Sequence, residues 1–226
     1  MNAPVKGKAV LFSEMTPPDG QENAFNAWYD GHHTPNHVQN VPGFLSAQRY
    51  KSPLGPHYLA IYELDSPAAL ETEEYRSRKF TPDAPTKAML DSVTGFTRYI
   101  ASEYTCRTRE SYVGEPLDAE VIIALFFMAP PERWSELLEW YAVEQAPMLL
   151  ESEDWAMIRL MEVVEYHPEP TSHIFLHYAR DVSVLESDEL KRARATEWSA
   201  KLAGEPWFVP LSVFYRRRGT RFLKNG

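Results

Sequence analysis

The chain of 226 residues has one cysteine, Cys106, so it can form no internal disulfide and no cysteine-based zinc site; this fits a reducing compartment. It has no run of 18 apolar residues, which excludes a membrane-spanning helix as the sequence stands. The stretch Met1 to Met15 contains Lys6 and Lys8, but no apolar segment leads to a small-residue cleavage site, so no secretory signal is expected. Basic residues are in deficit: the net charge is −9, which argues against nucleic acid as a partner. No GxGxxG, Walker A or GxSxG motif occurs, and nucleotide-dependent and serine-hydrolase chemistry lose support. The chain is nonetheless 44% hydrophobic and 13% aromatic, enough to bury a core. The expectation is a cytoplasmic protein that binds a small molecule, not a membrane or nucleic acid, and that is able to form a homo-oligomer.

A pattern occurs twice. Trp28-Tyr29 and Pro35 recur as Trp140-Tyr141 and Pro147, and Phe25 recurs as Leu137, all 112 residues apart. Strand-like runs accompany both copies: Ala9–Phe12 with Val121–Leu125, Tyr58–Tyr62 with His173–Tyr178, and Gly95–Ile100 with Pro210–Tyr215. The later pairs drift to an offset of about 115, as a short insertion would produce. Each half reads strand, helix, strand, strand, helix, strand, the ferredoxin-like βαββαβ order. One face of such a sheet is covered by its helices, and the other must be buried elsewhere. The expected fold is therefore α+β, two tandem ferredoxin-like units pairing sheet-to-sheet as an intrachain α/β barrel. The units are expected at 1–104 and 119–226, with 105–118 as a linker holding Cys106.

In the first half, Asp19 and Glu22 read as a capping box for the first helix. Phe25, Trp28, Tyr29 and His32 follow at i, i+3, i+4 and i+7, which places His32 on the inner face. Pro42-Gly43 ends that segment. The second helix of the first half is interrupted by Pro82 and Pro85, whereas that of the second half runs from about Ser187 to Ala203.

The segment Trp28-Tyr29-Asp30-Gly31-His32-His33-Thr34-Pro35, then Val41-Pro42-Gly43-Phe44 and Ala47-Gln48-Arg49-Tyr50, resembles the dimeric α/β-barrel superfamily, in its EthD-like branch. The likeness covers about thirty residues of the first half; the second half shares Trp140-Tyr141, Pro147 and the strand order. The resemblance implies a pocket between sheet and helices in each unit. It also implies a range of activities: cofactor-free isomerases, cyclases, dehydratases, lyases and monooxygenases, together with haem binders and members without known activity.

Three of the seven histidines, His32, His33 and His37, lie within six residues. His32 or His33 is the candidate to move a proton, and Asp30, three residues before His33, to orient its ring. Tyr62 is the candidate to polarise a carbonyl or enolate oxygen, with a core aromatic as the alternative. Trp28, Tyr29, His37, Arg49, Tyr58 and His177 complete the candidate substrate contacts. Arg49 either anchors a carboxylate or makes an outward salt bridge. His177, with His173, supplies the acid/base candidates of the second half, where Glu144 and Gln145 stand at the His32 and His33 positions. His33 and His37 have the i, i+4 spacing of two zinc ligands, but no third ligand is visible, so no metal and no cofactor is expected. Arg216-Arg217-Arg218 reads as a solvated terminus, and the tryptophans as core. The expected activity is cofactor-independent acid/base chemistry on a small apolar or aromatic carbonyl compound: isomerisation, cyclisation, dehydration or carbon–carbon cleavage, as a lyase or isomerase of a catabolic pathway. The alternatives are a cofactor-free monooxygenase, a haem binder and a non-catalytic small-molecule binder.

Overall fold

The computed structural model describes residues 5–225; the first four residues of the span read for a leader, and residue 226, lie outside them. The fold is mixed α+β, with eight strands among the described residues, in two compact units. The first unit comprises the chain up to Ser102, Glu165–Pro168 and the chain from Arg218 on; the second comprises Glu103–Val164 and Glu169–Arg217. No helix among the described residues is long and apolar enough to cross a membrane.

The first unit runs β1 (Ala9–Thr16), α1 (Glu22–Trp28), a π-helical turn (Tyr29–His33), α2 (Thr34–Asn40), β2 (Phe44–Lys51) and β3 (Tyr58–Leu64). A 3-10 turn (Pro67–Glu71), α3 (Glu73–Phe80), α4 (Ala84–Ser92) and β4 (Thr94–Thr108) come next. Its strands are antiparallel neighbours in the order β4-β1-β3-β2, with Tyr62 opposite Leu11 on one side and Ala47 on the other. Alternation along β3 places Tyr58, Ala60, Tyr62 and Leu64 in the core with Phe25, Trp28, Tyr29 and Val38 of the helical layer. Burying each large side chain of this set contributes about 1.5–3 kcal/mol.

The second unit repeats the order with β5 (Val121–Phe127), α5 (Trp134–Trp140), a π-helical turn (Tyr141–Gln145), α6 (Ala146–Leu149), β6 (Trp155–His167) and β7 (His173–Ala179). It ends with α7 (Asp188–Arg194), α8 (Glu197–Ala203) and β8 (Leu211–Leu223), and its sheet order is β8-β5-β7-β6.

Four local expectations change. The first helix starts at Glu22, and Gln21 at its N-cap makes no side-chain cap bond. Gly20, at φ +74°, turns the chain between Asp19 and the helix, so Asp19 cannot cap it. Glu22 instead accepts from Lys51 Nζ at 2.5 Å and from the Tyr58 hydroxyl. The helix expected from Ser187 to Ala203 is two, because extended Thr196 restarts the chain and caps α8, accepting from Ser199 N at 3.1 Å. β4 continues to Thr108, so Cys106 lies in a strand rather than a linker. The Arg216–Arg218 run lies in β8 and is ion-paired: Arg218 donates to Asp30 at 2.5 Å, and Arg217 donates to the Asp118 carbonyl at 2.9 Å.

The two π-turns matter most. In each the amide after the turn bonds five residues back, Thr34 to the Tyr29 carbonyl and Ala146 to the Tyr141 carbonyl. In each the next residue, Pro35 or Pro147, has no N–H to offer a tighter α-helical bond. The added residue rotates the rest of the helix by about 100°, so the inner-face position moves from His32 to His33.

Gly43 joins α2 to β2 at φ +80°, and a Cβ there would lie 2.7 Å from both the Ala69 Cβ and an Asp65 carboxylate oxygen. Gly43→Ala is expected to destabilise the protein by about 1–3 kcal/mol. Urea unfolding followed by circular dichroism checks this, and an unchanged midpoint would remove Gly43 from the constraints on the helix exit.

Candidate functional site

The π-turn brings side chains together beneath the helices of the first unit. The His33 ring lies 4.5 Å from Trp28 and 5.0 Å from Tyr29, centroid to centroid. His37, one α-turn later, lies 4.5 Å from His33, 5.9 Å from Tyr62 and 6.1 Å from Tyr75. These rings border a cavity of about 540 Å³, whose lining includes Tyr29, His33, His37, Tyr62, Tyr75 and Arg98. Its size and mixed lining are those of a small-molecule site.

The hydrogen bonds define protonation. His37 Nδ1 is 2.9 Å from the His33 carbonyl oxygen, which can only accept. Nδ1 therefore carries the proton, and the neutral ring keeps its lone pair on Nε2. Burial holds His33 well below the usual imidazole range, and positive charge at His37, His32 and Arg49 would lower it further. Burial also lowers His37, against the opposing effect of its bond to the His33 carbonyl. Both imidazoles are thus neutral bases at pH 7. Burial pushes the Tyr62 phenol well up, keeping it a neutral donor. Its hydroxyl lies near Tyr29 and Thr34 but closes no hydrogen bond. A buried donor without a partner, beside a cavity, is a group able to bind a substrate oxygen.

The other candidates are placed differently. His32 does not line the cavity: its Nε2 bonds Asp83 Oδ2 at 2.7 Å, with both side chains 43% exposed. The Asp83 carboxyl falls to about 2, chiefly through hydrogen bonds from the Thr86 side chain and amide and then through His32. Asp30 does not orient His33. It accepts from Arg49 Nη1 and Arg218 Nη1, each at 2.5 Å, and so ties the π-turn to β2 and β8. Arg49 is neither outward nor in the cavity; it is buried, with its guanidinium 4.2 Å from the Tyr29 ring centroid. Trp28 donates to Thr86 Oγ1 at 3.4 Å, and Tyr58 is held by Glu22 and Asn26; neither borders the cavity.

In the second unit the matching positions are saturated. Trp155 Nε1 can only donate, so His177 Nδ1 accepts at 3.2 Å, and His177 Nε2 then donates to the Tyr141 hydroxyl at 2.8 Å. No ring nitrogen of His177 is left for chemistry, whereas His173 Nε2 is buried without a partner. Burial takes His177 down to about 3 and His173 to about 4. Gln145, at the His33 position, donates to the Ala193 carbonyl and to Ser199 Oγ, both at 2.8 Å.

No family model and no curated protein sequence matches the chain. Solved structures do. An anthrone oxidase-like protein aligns over 100% of this chain and 97% of its own, with 14% identity and a TM-score of 0.68. A protein from Lactobacillus acidophilus assigned as a monooxygenase aligns over 96% and 97%, with 8% identity and a TM-score of 0.61. A mutant chlorite dismutase from Candidatus Nitrospira defluvii aligns over 94% and 92%, with 10% identity and a TM-score of 0.56. These neighbours are dimeric α/β-barrel proteins.

The chain has the dimeric α/β-barrel fold.

At such identities the likeness shows the fold alone. Several cavity residues are missed by reasoning from the sequence. Arg98 shares a face of β4 with the core residue Ile100, and alternation along that strand is the signal that could have found it. Tyr75, Arg78 and Asp83 come from α3 and the turn after it, and nothing in the periodicity of that segment marks them. Among the described residues no group of three or more His, Cys, Asp or Glu is placed to hold a metal.

The lowered histidines set a pH dependence. Their folded pKa values lie below the unfolded value of about 6.5, so as pH falls the unfolded chain takes up protons first and stability drops. For His177 alone the loss between neutral pH and pH 5 is about 2 kcal/mol. Urea midpoints measured from pH 7.5 to pH 5 should fall, and His177→Gln should flatten the dependence. An equally steep fall in the variant would mean that His177 is not the group responsible.

Proposed function

We propose that the cavity of the first unit is the active site of an enzyme that removes a proton next to a carbonyl group of a small aromatic compound, with no cofactor. The observation that carries this reading is the His33–His37 pair: two half-buried neutral imidazoles, one with its lone pair on Nε2, beside the unpartnered Tyr62 hydroxyl. An imidazole takes the proton, and the electron pair remains on the substrate as an enolate or phenolate. The Tyr62 hydroxyl donates to its oxygen. Two imidazoles 4.5 Å apart disfavour a shared second proton, so the pair cycles between zero and one. His33 and His37 are the proposed bases, with Tyr29 and Tyr62 as substrate contacts; His32 and Asp30 act from outside, on Asp83 and on the π-turn.

A second reading has support from the anthrone oxidase-like and monooxygenase-assigned neighbours. The same carbanion can react with O₂: a CH₂ group becomes a carbonyl, and its two hydrogens leave as water. Haem suits the cavity less well. The His37 ring has His33, Phe44, Tyr62 and Tyr75 at centroid distances of 4.5 to 6.1 Å, which leaves space for a flat substrate beside it rather than a porphyrin centred on it.

We also read the two units as ferredoxin-like modules from a tandem duplication, covering about 1–104 and 119–226, and the chain as an EthD-like protein of the cytoplasm. Support comes from the matching sheet orders and from π-turns 112 residues apart. The second unit, with Gln145 and a saturated His177, serves as scaffold in this reading.

Deuterium exchange at the acidic methylene of anthrone, followed by NMR in D₂O without oxygen, tests the proton step. Wild type should accelerate exchange, and His33→Gln and His37→Gln should each reduce the acceleration by about 100-fold or more. Full activity in both variants sinks the assignment. Oxygen uptake on admitting air, absent without enzyme, identifies the oxygenase reading.

A further inference from the structure

Arg98 is a cavity residue that proton abstraction does not use. Its side chain is 10% exposed, and it lies on β4 opposite Ser13 of β1. Nη1 is held by Glu165 and Nη2 donates to the Tyr75 hydroxyl at 3.2 Å, but Nε is buried without a partner. A buried cationic N–H is costly to leave unsatisfied, and the residue that carries it lines a cavity with room for a ligand. The surrounding charge has the same sense. Arg78 and Lys79 also line the cavity, whereas its acidic residue, Asp83, already accepts from Thr86 N and is bonded to His32. In a chain of net charge −9 this is a local excess of positive charge. Tyr75 places the two ends in relation: its ring is 6.1 Å from His37 and its hydroxyl bonds Arg98. His37 and the Arg98 guanidinium thus both lie against one aromatic residue.

We propose that the cavity selects aromatic compounds bearing a carboxylate, with Arg98 as the residue that determines this specificity. The ring system lies along Tyr75, the carboxylate accepts from Arg98 Nε, and the group that loses its proton faces His33 and His37. One free N–H suits a carboxylate monoanion better than a phosphate dianion, which needs several donors. The proposal rests on the reading of this cavity as a substrate site, but it concerns binding and does not depend on turnover.

Calorimetry with 6-hydroxy-2-naphthoate and 2-naphthol, a pair differing only in the carboxylate, tests it at pH 7.5 and fixed ionic strength. Wild type should bind the naphthoate at least tenfold more tightly. Arg98→Gln should abolish that preference while retaining 2-naphthol. Glu165→Gln removes the solvent-side counter-ion of Arg98 and should tighten the naphthoate several-fold, leaving 2-naphthol unchanged; this variant decides the matter if Arg98→Gln does not fold. Equal affinities in wild type, no binding of either probe, a preference that survives Arg98→Gln, or no effect of Glu165→Gln would each overturn the proposal. Naphthoate preference without deuterium exchange would discard the acid/base reading and keep this one; exchange without the preference would do the reverse.

Discussion

One extra residue in the helix of the first unit sets the geometry of the site. An α-helix through Tyr29–His33 would point His32 at the sheet and His33 away from it. The i→i+5 bond from Thr34 to Tyr29 shifts the phase, and Pro35 withdraws the N–H that would close a tighter turn. His33 then packs against Trp28 and Tyr29, and His37 comes one turn later with its Nδ1 proton committed to the His33 carbonyl. The backbone irregularity therefore selects the imidazole that enters the cavity, and the bond it permits selects which nitrogen of His37 is basic.

A π-turn is less well bonded than the α-helix around it, so it needs support from elsewhere in the unit. Asp30 supplies this by accepting from Arg49 and Arg218, on β2 and β8. Arg49 is packed on the Tyr29 ring and Tyr29 contacts His33, so the ion cluster and the imidazoles are joined through a single phenol. The second unit keeps the π-turn and the proline. There the polar side chains satisfy one another: Gln145 with Ala193 and Ser199, His177 with Tyr141 and Trp155. The same backbone device borders a cavity in the first unit and a set of mutually bonded side chains in the second. The difference lies in a few side chains, imidazole against amide at the turn and phenol against imidazole on the third strand.

Much of the architecture is legible in the chain. The two copies of Trp-Tyr with their prolines, the strand runs and their order, the inward face of Tyr58, Ala60, Tyr62 and Leu64, and the break at Pro82 and Pro85 all come from local rules. Alternation has period two in strands, and proline cannot continue a helix. The site is legible only in outline. His33, His37, Tyr29 and Tyr62 do meet at one cavity, but a uniform 3.6-residue period puts His32 inside, and this stretch of helix does not keep that period. Short-range spacing pairs Asp30 with its neighbour three residues on, whereas its partners lie nineteen and 188 residues away. Tyr75 reaches the cavity from a helix whose sequence carries no signal of it, and Arg98 from a strand where only alternation hints at it.

The repeat, the order of elements and the residue types crowded around the Trp-Tyr motif can all be read from the residues in line, because they depend on short-range periodicity and on the backbone limits of glycine and proline. Folding settles the rest: which histidine faces the cavity, which nitrogen keeps its lone pair, and which carboxylate meets which arginine. Those outcomes turn on hydrogen bonds and burial among residues far apart in the chain, where a rotation of about 100° at one turn brings His33 rather than His32 to the cavity.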